Sequence, residues 1–335
     1  MIMNTRTVVR YTSMLLWAGM VTVMLTARVT PLQAQVRYRL EVDNTWSSTT
    51  HSDFPGPGAH FAWFGGATHN DQVTFWEEGQ LASPGIVQMA ETGLTNILVN
   101  EEVAAKISEG SAGGGLSYPW WFCPVDTTSS PCGEKTVEFD IDASWPLVTL
   151  VSMLGPTPDW FVGVSGLPLR ENDQWLPQVV VDLRPYDGGT RSANEWALFG
   201  PLNDPPEPIH LITTETGERI GPDSLGTMTF TLLSPRVPGD CNQDGTVDLS
   251  DAICILGVLF TGTPPLFPCG DGSPSHPGNV ALIDWQPDGT VDLSDGIALL
   301  QFLFIGGNAH PLAVPGGETE ECALLPDCEA DPTCQ

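Results

Sequence analysis

Thr227-Met-Thr-Phe-Thr-Leu232 alternates hydroxyl-bearing and large apolar side chains with a period of two. That is the spacing of a strand that turns one face to a core and the other to water. Outward from it, similar strand-like text recurs in Tyr38-Arg-Leu-Glu-Val42, Thr136-Val-Glu-Phe-Asp-Ile141, Val148-Thr-Leu-Val-Ser-Met153 and Val179-Val-Val-Asp-Leu183, separated by Gly, Pro, Asn and Asp loops. One segment, about Ile86 to Glu109, is frequent in Glu and Ala and reads as helix. Many short strands with one or two helical insertions predict a mainly β fold, an antiparallel sandwich.

Composition bounds the compartment and the partners. Arg6 and Arg10, an apolar run from about Met14 to Thr26 and the small residue Ala34 read as a secretory signal peptide over residues 1–34. No later segment reaches the roughly 18 uninterrupted apolar residues of a membrane span, so an exported, soluble protein is expected, free outside the cell or associated with a cell surface. The 8 cysteines, an even count in an exported chain, favour disulfides over thiols. A formal charge of -29 makes nucleic acid and anionic lipid poor partners. After Arg236 there is no Lys or Arg, while the same 99 residues hold 15 Asp and Glu. Without bound cations such a segment repels itself.

Residues about 36 to 233 then show a specific set of motifs in order: Trp46-Ser47, Thr50-His51, Asp53-Phe-Pro55, His60-Phe61, Gly66-Ala-Thr-His-Asn70, Trp76, Ala82-Ser83, Ala90-Glu-Thr-Gly93 and Pro158-Asp-Trp-Phe-Val-Gly-Val164. Together they resemble the spondin N-terminal domain. The resemblance implies a C2-like β-sandwich over residues 35–236 and a role in adhesion or extracellular-matrix binding to a protein or glycan, without catalysis. It also implies a calcium ion held by loop aspartates, which carry over to Asp159 and Asp187. The third position of the family's motif is Arg191 here. A guanidinium cannot ligate calcium; two readings follow, one in which Arg191 lies between the two carboxylates as a tethered cation, and one in which Glu195 completes a calcium site.

Two other clusters have plain structural readings. His51, His60 and His69 are spaced nine apart, match no compact metal motif, and are accompanied by no HExxH or GxSxG sequence. Pro119-Trp-Trp-Phe122 is either a stacking platform or core packing pinned by a Cys123–Cys132 disulfide, and the second is the preferred reading.

Asp240-Cys-Asn-Gln-Asp-Gly-Thr-Val-Asp-Leu-Ser-Asp251 returns almost verbatim at Asp284 to Asp295. Oxygen ligands fall at loop positions 1, 3, 5, 7, 9 and 12: Asp240, Asn242, Asp244, Thr246 (carbonyl), Asp248 and Asp251, then Asp284, Gln286, Asp288, Thr290, Asp292 and Asp295. That is the EF-hand schedule for Ca2+, with glycine at position 6 to permit the sharp reversal. Val247 at position 8 suits a short strand pairing the two loops. Pro235 and Pro238 bar a helix from entering loop one, and the unit reads as loop then helix. Ile253, Leu256, Leu259 and Phe260 form an expected inward stripe, repeated by Ile297, Leu300, Leu303 and Phe304; 14 of 23 aligned residues are identical at a period of 44. Such a duplicated half EF-hand resembles the dockerin domain, here residues 237–310, with an acidic cysteine-containing tail at 311–335. The resemblance implies two calcium ions and, as partner, a cohesin-like receptor; an intramolecular stability module fits as well. Six cysteines in this half allow fifteen pairings. The expected protein is a secreted calcium-binding adhesion or scaffold protein. The rival is an extracellular, polysaccharide-related enzyme or enzyme-complex subunit recruited through its dockerin.

Overall fold

The computed structural model describes residues 35–51, 53–56, 58–119, 134–192, 196–213, 220, 223–313, 322–328 and 334. The signal-peptide reading, the Trp120–Phe122 cluster with Cys123 and Cys132, and Glu195 lie outside the described residues.

The strands in chain order are β1 (Val36–Asn44), β2 (His60–Phe61), β3 (Phe64–His69), β4 (Ala112–Tyr118), β5 (Glu134–Ile141), β6 (Leu147–Gly155), β7 (Trp160–Pro168), β8 (Arg170–Glu171), β9 (Gln174–Trp175), β10 (Gln178–Asp182), β11 (Tyr186–Asp187), β12 (His210–Leu211), β13 (Gly226–Arg236) and β14 (Ala323–Pro326). The helices are α1 (Pro84–Thr92), α2 (Ala104–Glu109), α3 (Leu249–Leu256), α4 (Pro277–Ile283) and α5 (Leu293–Ile305). Each of the five alternating segments falls on a strand: β1, β5, β6, β10 and β13, with only Leu183 lying one residue past the end of β10.

Two antiparallel sheets result. One runs β10-β13-β1-β5 with β14 also on β13; the other runs β12-β11-β7-β6-β3-β4 with β2 on β6, and β8–β9 form a separate hairpin. Alternation sets which face goes inward. In β1, Tyr38, Leu40 and Val42 are buried while Arg37, Arg39 and Glu41 are not, and β13 opposes them with Met228 and Phe230. These side chains meet Phe61, Phe64, Leu150, Trp160 and Val162 of the second sheet. Burying each large side chain contributes about 1.5–3 kcal/mol.

The near-continuous apolar run of β6 has its own cause: it is covered on both faces. Val148 and Leu150 face the sandwich core, whereas Val151 and Met153 face a second cluster with Ile86, Met89, Leu98 and Val103. The expected single helix from Ile86 to Glu109 is two pieces. Ser83 caps α1 by accepting the Ile86 N–H, and Gly93 ends it with φ 72; Leu98–Val103 then forms a wide π-type turn leading into α2.

Past β13 the chain forms a third cluster, centred on Cys241, Ala252, Ile255, Leu282, Trp285, Val291 and Leu299. Disulfides join Cys241 to Cys254, Cys269 to Cys328 and Cys322 to Cys334. Two expectations are corrected. Helix α4, started by Pro277, ends at Ile283 and so feeds loop two directly; only loop one lacks an entering helix. Among the described residues no strand pairs Val247 with Val291, and both valines pack into the third cluster instead. Part of the acidic tail is ordered sheet, because β14 pairs with β13 from Leu233↔Pro326 to Arg236↔Ala323.

Candidate metal centres and docking face

The register of β7 with β11, Asp187↔Trp160, brings Asp159 and Asp187 together at one end of the sandwich. Asp187 accepts the Gly189 N–H on Oδ1 at 2.6 Å and the Trp160 indole N–H on Oδ2 at 2.9 Å. Asp159 is fully buried, and its Oδ2 accepts the N–H groups of Thr190 and Arg191, each at 2.8 Å, and the Thr190 hydroxyl at 3.1 Å. Its Oδ1 has no hydrogen-bond partner. Burial, reinforced by the neighbouring charge of Asp187, pushes the Asp159 carboxyl up to about 7.

Arg191 does not lie between the two aspartates by its side chain. Its backbone N–H is what meets Asp159, so the guanidinium projects away, to Glu91 Oε2 at 2.5 Å and the Gly200 carbonyl at 2.9 Å. Glu91 also accepts the Thr190 hydroxyl at 2.8 Å. Burial raises the Glu91 carboxyl, but hydrogen bonds from Arg191 and Thr190 outweigh it and hold the group below its usual value. Sequence reasoning missed Glu91: it stands 100 residues from its partner, and spacing carries no signal for such a pair. Calcium takes six to eight oxygens. Three of the four aspartate oxygens here accept N–H groups, and the third position of the motif brings a guanidinium, turned to Glu91, in place of a carboxylate.

The C-terminal loops differ in kind. Gly245 and Gly289 turn the chain at φ 87 and φ 84, the left-handed region that glycine adopts without strain. Position 9 caps the following helix: Asp248 and Asp292 each accept at the N-termini of α3 and α5, and Asp251 and Asp295 reach back to complete a capping box. Asp240, Asp251, Asp284 and Asp295 are buried, whereas Asn242, Asp244, Thr246, Asp248, Gln286, Asp288, Thr290 and Asp292 are exposed. Burial pushes Asp251 up to about 6, against the pull of the Asp248 and Asn242 N–H groups, and raises Asp240 and Asp295. Among the described residues no three His, Cys, Asp or Glu side chains stand in a closed metal-holding arrangement; the loop carboxylates accept backbone N–H groups instead. The donor set nevertheless suits a hard cation, being all oxygen, and Asp284 Oδ1 is buried without a partner.

The helices after these loops do not bury the expected stripe. Ile253 is 62% and Phe260 65% exposed, and their repeats Ile297 and Phe304 are 43% and 66% exposed. The helices are apolar nearly all round, so the spacing alone admits more than one face. The contact between α3 and α5 is set by small residues: Gly296 lies against Ile255 and Leu256, and a Cβ there would meet Leu256 at 3.1 Å. Ala252, Ile255, Ala298 and Leu299 are therefore buried. Leu249, Ile253 and Phe260, with Leu293, Ile297 and Phe304, remain at equivalent positions on the surface.

The three histidines do not converge. His69 Nε2 meets Thr149 Oγ1 at 2.8 Å and Nδ1 meets the Asn70 carbonyl at 2.9 Å, while His60 Nδ1 meets the Gly58 carbonyl. His69 lines a cleft of about 630 Å³ with Asp71, Trp76, Glu78, Arg184 and Tyr186; neither His51 nor His60 does. Among the described residues no helix is long and apolar enough to cross a membrane.

The profile of the Spondin_N family matches residues 36–220. Spondin-1 of Gallus gallus is 33% identical over 182 residues, 53% of this chain and 22% of that protein. Spondin-2 of Homo sapiens is 32% identical over 163 residues, 48% of this chain and 47% of that protein. The chain thus spans about a fifth of one curated relative and about half of the other.

Proposed function

Because the chain belongs to the Spondin_N family, we propose that it is a non-enzymatic extracellular adhesion or scaffold protein with two binding parts. The extracellular location is part of this reading and rests on the likeness to Spondin-1 and Spondin-2. The sandwich binds an extracellular protein or glycan. The C-terminal loops take one calcium ion each, as dockerin loops do, and the helices behind them dock a protein. In the sandwich, Arg191 stands at the motif's third position and pairs its guanidinium with Glu91.

The observation that carries the docking reading is the twofold repetition of an exposed apolar face, Leu249, Ile253 and Phe260 echoed by Leu293, Ile297 and Phe304. Repeated exposed apolar residues mark an interaction surface. The segment that carries it, from residue 237 on, contains no Lys or Arg and 15 Asp and Glu, so charge complementarity calls for a partner whose apolar patch is rimmed by basic residues. Bound calcium would neutralise part of the loop charge and hold the two helices ready.

The test is a pull-down from the envelope of the producing cell with the full chain, in calcium and in chelator. A partner retained in calcium and released by chelator supports the reading; a catalytic activity that survives loss of the partner supports the enzyme alternative. Equal capture in both conditions overturns calcium-dependent docking.

A further inference from the structure

The two loops are near-copies, and their hydrogen bonds repeat almost bond for bond. Gly245 and Gly289 donate to Oδ2 of Asp240 and Asp284, each at 2.8 Å. Asn242 and Gln286 donate backbone N–H groups to Oδ1 of Asp251 and Asp295, at 3.1 and 3.0 Å. Asp248 and Asp292 donate to the second oxygen of the same residues, at 2.9 and 2.8 Å.

They part at position 4. In loop one, Gln243 N–H donates to Asp240 Oδ1 at 2.7 Å and Asp244 N–H adds a second bond at 3.2 Å. In loop two the equivalent residue is Pro287, which has no N–H, and the Asp288 N–H turns to the Gln286 carbonyl. Asp284 Oδ1 is left with no partner in a residue only 7% exposed. A second difference points the same way. Position 2 of loop one is Cys241, stapled to Cys254 of α3; the equivalents in loop two are Trp285, whose indole N–H donates to the Asn308 carbonyl at 2.8 Å, and Ala298, with no covalent link between them.

The geometry points to a division of labour between the loops. Loop one closes itself, by backbone donors and a covalent staple. Loop two has a vacant buried oxygen that a hard, oxygen-coordinated divalent cation fills, so the cation governs the order of loop two and of α5. This rests on the reading that the loops take calcium. Because α5 carries Leu293, Ile297 and Phe304, the cation would switch half of the apolar face rather than all of it.

Hydrogen–deuterium exchange of the full chain in calcium and in chelator tests this. A buried carboxylate oxygen without a donor shifts local opening by roughly tenfold or more. Chelation should therefore speed exchange over residues 284–305 by about that factor while residues 240–256 change much less. Pro287→Gln, which returns the missing N–H, should shrink the response of loop two. The pair Cys241→Ala with Cys254→Ala should raise that of loop one. Equal responses of the two segments in the native chain, or a larger one in loop one, overturn this inference alone. No response in either segment overturns the calcium reading and this inference with it.

Discussion

Arg191→Ala is the most direct probe of the sandwich end. The pair it breaks is neither surface nor core: the Arg191 side chain is 24% and that of Glu91 15% exposed, and they meet at 2.5 Å. A screened surface pair is worth about 0–1 kcal/mol, whereas stripping one partner from a fully buried pair costs about 3–5 kcal/mol. Partial burial places the expected loss at about 2 kcal/mol. For a domain of this size that is a melting temperature lower by about 4–8 °C. Urea unfolding followed by tryptophan fluorescence, in chelator so that the C-terminal loops do not contribute, measures it. A double-mutant cycle with Glu91→Gln should return a coupling of about 1–2 kcal/mol. The pH dependence has a definite sign. Glu91 is depressed in the folded state, so its contribution is present above the unfolded value near 4.3 and disappears as pH falls through the folded one. The gap between native protein and variant should therefore close in acid. A loss below about 0.5 kcal/mol, additive single effects, or a gap unchanged in acid would refute the assignment of this pair.

Three further expectations follow from other parts of the molecule. Ile253→Lys with Ile297→Lys changes exposed positions, so the unfolding midpoint should move by less than about 0.5 kcal/mol per substitution while capture of the partner falls at least about tenfold. Asp159, raised to about 7, keeps its proton in the folded state where the unfolded chain has lost it. Stability in chelator should therefore fall as pH rises from about 4 to about 7, and Asp159→Asn should flatten that slope in a urea-midpoint profile. Replacing both Cys269 and Cys328 with Ala opens a link across 59 residues; the expected loss is about 2–4 kcal/mol, read as proteolysis of the tail at lower temperature.

The sandwich was legible because its signal is local. Residues at i, i+2 and i+4 of β1 and β13 must share a face, whatever else the chain does, and ordered motifs carried the family likeness from residue 36 onward. The turns of the C-terminal loops were legible for a similar reason, since the glycine at position 6, which takes a positive φ in both, is read along a single stretch. What spacing could not supply was the choice among faces on helices that are apolar nearly all round. Leu256 and Leu259 suggested one stripe, but Gly296 admits the neighbouring helix on another, and Ile253 and Phe260 turn outward. Nor could it supply pairs remote in the chain: Glu91 with Arg191, or the tail with β13. Of the two readings at Arg191, the one that sets its guanidinium between the aspartates does not hold, because its backbone N–H meets Asp159 and its guanidinium meets Glu91.

The antiparallel pairing of β13 and β14 changes what kind of object the C-terminal half is. It leaves the sandwich from one strand and returns to the same sheet beside it, with Cys269–Cys328 closing the return. Mechanically it is an enlarged hairpin connection rather than a pendant on a flexible tether. A load applied to a docked partner would enter the sheet through two adjacent strands, along their length, where several backbone hydrogen bonds must yield together. An attachment built this way transmits direction as well as tension, which a disordered linker does not.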